Sequence, residues 1–182
     1  MIRTLTRDTS LINRIALISL FVALTAISAQ IKFYLNSPVP YTLQVLVVLL
    51  AGMVLGARDG ALSQIAFIGL IWAGVPLAAN GSAALTGATA GYLIGFIPAA
   101  YVTGYLVERG ADHPWGRLVA SLIGVVVIYT FGLTTLKLML NVSWGQAWGW
   151  SVAPFIAIDI LKAIIAAGLV DSGRMLIKRF TT

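Results

Sequence analysis

Asp159 and Lys162 interrupt an apolar run that reads Pro154-Phe155-Ile156-Ala157-Ile158-Asp159-Ile160-Leu161-Lys162-Ala163-Ile164-Ile165. Spaced i, i+3, the two side chains share one face of a helix, about 5–6 Å apart. An ionised group inside a membrane helix costs about 2.5 kcal/mol or more, so it turns toward the protein interior or a wet cavity. The chemistry on offer is binding: Asp159 accepts hydrogen bonds and Lys162 donates them. Two readings stand side by side, a structural ion pair that ties helices together and a site that handles a ligand or an ion. A proton pathway is the thinner form of the second, because a relay needs a chain of ionisable groups.

Little else supports catalysis. Cys is absent and His113, beside Asp112, is the single His. That removes thiolate nucleophiles, thiolate metal sites and paired-His metal sites, so no metal and no cofactor is expected, and His113 reads as a solvated loop residue. The stretch 87–91 lacks the Lys-Ser/Thr ending of a phosphate-binding loop, so ATP hydrolysis is not expected of this chain. Three segments, 38–44, 74–82 and 85–96, are polar or turn-rich for so apolar a protein. Asn80, Gln44, Thr42 and Tyr92 can supply the few directed polar groups of an otherwise apolar pocket. Turn formation or interfacial hydrogen bonding accounts for them equally well.

The elements that must position these residues are membrane helices. Of 182 residues, 59% are hydrophobic and 10% charged, with a mean hydropathy of +0.95, against about 25% charge in a soluble domain. Six spans are expected, at 15–34, 42–55, 61–77, 85–107, 118–140 and 153–177. At roughly 20 residues per span they leave only short loops, so 1–182 reads as one all-α membrane domain. Assigning loops alternately from the inside puts Arg3, Arg7, Arg14, Arg58, Arg109, Arg117, Arg174, Lys178 and Arg179 on the inner side and Lys32, Lys137 and Lys162 on the outer. The positive-inside rule then sets both termini in the cytoplasm. The net charge of +6 reflects this bias rather than nucleic-acid binding. Lys32 and Lys137 read as side chains snorkelling to the interface, and Trp144, Trp148 and Trp150 as an outer aromatic belt. The apolar stretch after Arg14 is long for a signal peptide, and cleavage is not expected. With the last helix beginning near Ala153, Asp159 and Lys162 lie roughly 9–14 Å in from its outer end, within reach of a pocket open to the outside.

Small residues recur on one face of the first helix: Ala16, Ser19, Ala23 and Ala26, followed by Gln30. Such faces let membrane helices approach closely, either within the bundle or against a partner subunit. Gly52-x3-Gly56 and Gly91-x3-Gly95 read as internal packing.

Three motifs, in this order and spacing, resemble one family: Val39-Pro40-Tyr41-Thr42-Leu43-Gln44, Gly87-Ala88-Thr89-Ala90-Gly91-Tyr92-Leu93-Ile94-Gly95-Phe96, and Pro154 through Lys162. The chain resembles, over nearly its whole length, the BioY family, the biotin-binding S-components of energy-coupling-factor (ECF) transporters. Ala88 stands where the family usually has Pro, and Ala90 and Ile158 where it usually has Gly. The resemblance implies a six-helix S-component of the cytoplasmic membrane that captures biotin from outside. It also implies a complex with a transmembrane coupling protein and a pair of ATPases, and tilting of the whole subunit during transport. It carries biotin contacts over to Asn80, Asp159 and Lys162, and to Tyr41, Gln44 and Tyr92. It makes Ala16, Ser19, Ala23 and Ala26 the docking face for the coupling protein. An S-component for another small vitamin is the nearest alternative.

Overall fold

The computed structural model describes residues 10–34 and 37–181. Among them are seven α-helices: α1 (Leu11–Gln30), α2 (Gln44–Leu55), α3 (Ala57–Trp72), α4 (Ala90–Leu106), α5 (Pro114–Leu140), α6 (Trp144–Ser151) and α7 (Ile156–Thr181). A 3-10 turn covers Gly81–Leu85 and a π-turn, Val107–Ala111, continues α4. A short antiparallel ladder, β1 (Lys32–Phe33) with β2 (Tyr41–Thr42), two residues on each strand, is a local addition to a fold that is otherwise helical among the described residues.

The helices α1, α4 with its π-turn, and α5 are long and apolar enough to cross a membrane. The pair α6 and α7, bent by 48° at its break, makes a fourth crossing if counted as one. The expected spans at 42–55 and 61–77 correspond to α2 and α3, with 12 and 16 residues. These reach only about 18 and 24 Å, short of the roughly 30 Å hydrocarbon core. A helix apolar on every side belongs inside a bundle. Accordingly α2 packs against α1, α3, α4 and α7, with Val48, Leu49, Ala51 and Met53 fully buried.

Glycines set how closely these helices meet. A Cβ at Gly52 would lie 2.3 Å from the carbonyl oxygen of Ala100, and one at Gly91 2.3 Å from that of Phe131, so α4 rides directly on the backbones of α2 and α5. Gly56 does something else: its φ of +90° makes the turn from α2 to α3, a conformation a Cβ disfavours. The expected Gly52–Gly56 packing pair therefore divides into a contact and a turn.

Four boundaries differ from the sequence reading. The first helix stops at Gln30, and Lys32–Phe33 leaves it to pair with Tyr41–Thr42. The fourth helix begins at Ala90, after a 3-10 turn, rather than at 85. The segment 141–151, expected as a loop, contains α6, started by a reciprocal capping box between Ser143 and Gln146. The last helix begins at Ile156, because Pro154 lacks the N–H that would continue α6. His113 is exposed as expected, and also caps α5 by accepting from the Gly116 N–H at its Nδ1.

The two ends of the bundle differ in chemistry. At one end Arg14 Nε donates to Asp59 at 2.8 and 2.9 Å, tying α1 to α3. There too Asp112 takes Arg117 at 2.7 Å and Arg174 at 2.6 Å, and Arg174 reaches the Met53 carbonyl at 2.9 Å. The opposite end holds β1, β2, the α3–α4 loop and α6, and a cavity opens among them.

Candidate functional site

The break between α6 and α7 forms one wall. Pro154 has no N–H to give the carbonyl of Trp150, and the Phe155 N–H turns to Val152 instead of Ser151. The freed carbonyls are taken by hydroxyls from elsewhere in the chain. Ser37 donates to Trp150 at 2.6 Å, Tyr92 to Ser151 at 2.7 Å and Tyr41 to Pro154 at 3.0 Å. Irregular backbone at membrane depth persists only where protein groups or a cavity satisfy it, and here both do. The Tyr41 ring lies between Phe33 and Phe155, with centroids 5.0 and 4.2 Å away. That stack fastens the β-ladder to the break.

The cavity encloses about 570 Å³ of empty space, mouth included. The segment 39–45, the α3–α4 loop, the first half of α4, α5 and the start of α7 all contribute to it. Its apolar walls include Leu93, Phe96, Ile128 and Phe155. In its depth stand Asp159 and Lys162, 2% and 5% exposed. Lys162 Nζ donates to Asp159 Oδ1 at 2.7 Å, and the Tyr129 hydroxyl donates to Asp159 Oδ2, also at 2.7 Å. Gln44, 4% exposed, lines the same cavity. Its Oε1 accepts from the Thr42 hydroxyl at 3.2 Å, while its Nε2 has no partner. At the rim, Asn80 Oδ1 accepts from the Tyr34 hydroxyl, and Lys32 Nζ donates to the carbonyl of Ala79, a lining residue.

Of the residues singled out in the sequence, Asp159, Lys162, Asn80, Thr42, Gln44 and Tyr92 line this one cavity. Tyr41 stands behind the lining. The hydroxyls of both tyrosines are committed to backbone carbonyls, so what Tyr92 offers the cavity is ring surface. Tyr129, Thr89 and Phe155 line it as well and were not anticipated. A polar ring in the apolar run of α5 was the available signal for Tyr129. Lys32, read from sequence as snorkelling, is folded onto the α3–α4 loop instead. On α1 the buried side is Leu17, Phe21, Val22 and Thr25. Ala16, Ser19 and Ala23 are exposed and Ala26 is half-buried.

An ammonium carries three donors and a carboxylate accepts up to about four hydrogen bonds. Lys162 therefore retains N–H groups, Asp159 retains lone pairs, and Gln44 Nε2 is free. The depth of the cavity is electrically neutral in sum, rich in donors, and able to accept beside them.

The family model for "BioY family" matches residues 3–179. The chain belongs to the BioY family. Among its relatives, the biotin transporter BioY of Rhizobium etli is 40% identical over 141 residues, covering 71% of this chain and 75% of that one. The probable biotin transporter BioY of Pyrococcus horikoshii is 41% identical over 157 residues, covering 85% and 91%. The biotin transporter BioY of Thermotoga maritima is 36% identical over 151 residues, covering 81% and 88%. The fold is similar to the crystal structure of the S-component for biotin from an ECF-type ABC transporter, with a TM-score of 0.81 at 24% identity over 92% of each chain.

Proposed function

We propose that this chain is the substrate-capturing membrane subunit of an ECF-type importer, and that its ligand is biotin. The observation that carries this reading is the deep polar group of Asp159, Lys162, Tyr129 and Gln44 within apolar walls. A cyclic urea offers one carbonyl acceptor flanked by two N–H donors. Lys162 and Gln44 suit the carbonyl, and the remaining lone pairs of Asp159 suit an N–H. Phe96, Phe155 and the Tyr92 ring suit the apolar thioether ring. The names of the relatives point to the same ligand.

The charge distribution supports six crossings with both termini in the cytoplasm, α2 and α3 being the two short ones. The cavity then faces outward and the ion-paired end inward. The chain carries no ATP-binding motif, so energy comes from ATPase partners through a coupling protein in the membrane. The exposed small face of α1, Ala16, Ser19, Ala23 and Ala26, is where that protein would dock. Titration of the purified protein with biotin, thiamine and riboflavin tests the ligand. Saturable one-to-one binding of biotin alone is expected. Tight binding of another vitamin with none of biotin refutes it.

A further inference from the structure

We propose that Lys32 forms an anion subsite at the mouth of the cavity and takes the carboxylate of the ligand, while the buried group around Asp159 takes the neutral end. The proposal deepens the biotin reading and rests on it.

The first ground is a charge inventory. Among the described residues, Asp59 and Asp112 pair with arginines at the far end of the bundle, Asp171 pairs with Arg117, and Glu108 accepts from the Ala57 N–H there. In the cavity Asp159 is matched by Lys162. Lys32 has no acidic partner among the described residues, and its ammonium rests only on the neutral carbonyl of Ala79. The cavity therefore has a balanced depth and an uncompensated positive charge at its rim.

The second ground is register. Lys32 pairs directly with Thr42 in the β-ladder. Directly opposed residues of an antiparallel pair project to the same face, and Thr42 lines the cavity. Lys32 thus shares the cavity side of the ladder, while Phe33 and Tyr41 stack together on the other side. Asn80 adds a donor at the same place: the Tyr34 hydroxyl occupies its Oδ1 and leaves its amide N–H groups free.

The third ground is the cost of the alternative. A carboxylate placed in the depth would add a net negative charge beside Asp159, where Lys162 is already engaged, and burying an uncompensated charge is expensive. At the rim the anion keeps part of its water and gains a charge-assisted bond from an ammonium with two N–H groups unused. Biotin, with a neutral polar head and a carboxylate separated by an aliphatic tail, matches this polarity.

The test compares biotin with its neutral carboxamide, biotinamide, on the full-length protein in lipid nanodiscs by calorimetry. The wild type is expected to bind biotin more tightly than biotinamide. Lys32→Gln is expected to weaken biotin by about tenfold and biotinamide by less than about twofold, erasing the preference. Lys32→Arg should keep it. Equal weakening of both ligands would mean that Lys32 only latches the α3–α4 loop, and unchanged affinity for both would mean that it does neither; each overturns the subsite and leaves the biotin reading standing. A wild type that binds neither ligand overturns the biotin reading and the subsite with it.

Discussion

Replacing Lys162 with Met leaves Asp159 one partner, the Tyr129 hydroxyl, at a position where the residue is 2% exposed. Removing one member of a buried pair costs about 3–5 kcal/mol, because the survivor stays desolvated without its counter-charge. The remaining Tyr129 bond and the cavity beside it favour the lower end, about 3 kcal/mol. Asp159→Asn should cost a similar amount by stranding the ammonium. The double variant Asp159→Asn with Lys162→Met removes both charges and keeps an amide oxygen for Tyr129. Its stability should return to within about 1 kcal/mol of the wild type, since a neutralised buried pair is often no worse than the pair itself. Biotin binding should not return. Two hydrogen bonds to charged groups are gone, at about 1.5–3 kcal/mol each, so affinity should fall by on the order of a hundredfold or more. Thermal unfolding followed by tryptophan fluorescence reads the stability, and calorimetry with biotin reads the affinity. A double variant that recovers stability and still binds biotin like the wild type would reduce the pair to a structural clamp. Single variants no less stable than the double would refute the buried-charge reasoning itself.

Tyr129→Phe removes one of the two bonds that orient Asp159 and should weaken biotin by about 1–2 kcal/mol, read by calorimetry. A far smaller change would mean that Lys162 alone positions the carboxylate. Gly91→Ala should lower stability by about 1–3 kcal/mol, since its Cβ would sit 2.3 Å from the Phe131 carbonyl oxygen and Thr135 Oγ1. Gly69→Ala, with nothing within 4 Å, should raise stability by about 0.5–1 kcal/mol through helix propensity, and thermal unfolding distinguishes the two. Ala23→Trp should leave biotin binding intact and abolish co-purification with the coupling protein and ATPases. Intact assembly would move the docking face elsewhere.

The membrane class of this chain was legible from hydropathy, because a charge-poor surface is incompatible with water at any detail of packing. The placement of Asp159 and Lys162 on one buried helix face was equally legible, since the i, i+3 spacing and the cost of a charge in lipid are local. Boundaries were less so. Glycine and tryptophan at 144–150 read as a loop on composition, although the Ser143-x-x-Gln146 spacing of a capping box is a local signal for the start of α6.

What remained for tertiary structure was the use of each polar group. Tyr41 and Tyr92 look like ligand donors in sequence, but the proline break at 154 frees carbonyls that claim their hydroxyls. Tyr129 looks like one polar residue in an apolar helix until α5 packs on α7 and sets it against Asp159. Lys32 looks like an interfacial anchor until the ladder turns it toward the cavity side beside Thr42. Hydropathy and helical spacing act over a few residues and are written in the sequence directly. A hydrogen-bond partner 30 to 113 positions away is chosen by how the helices pack, and no local pattern records that choice.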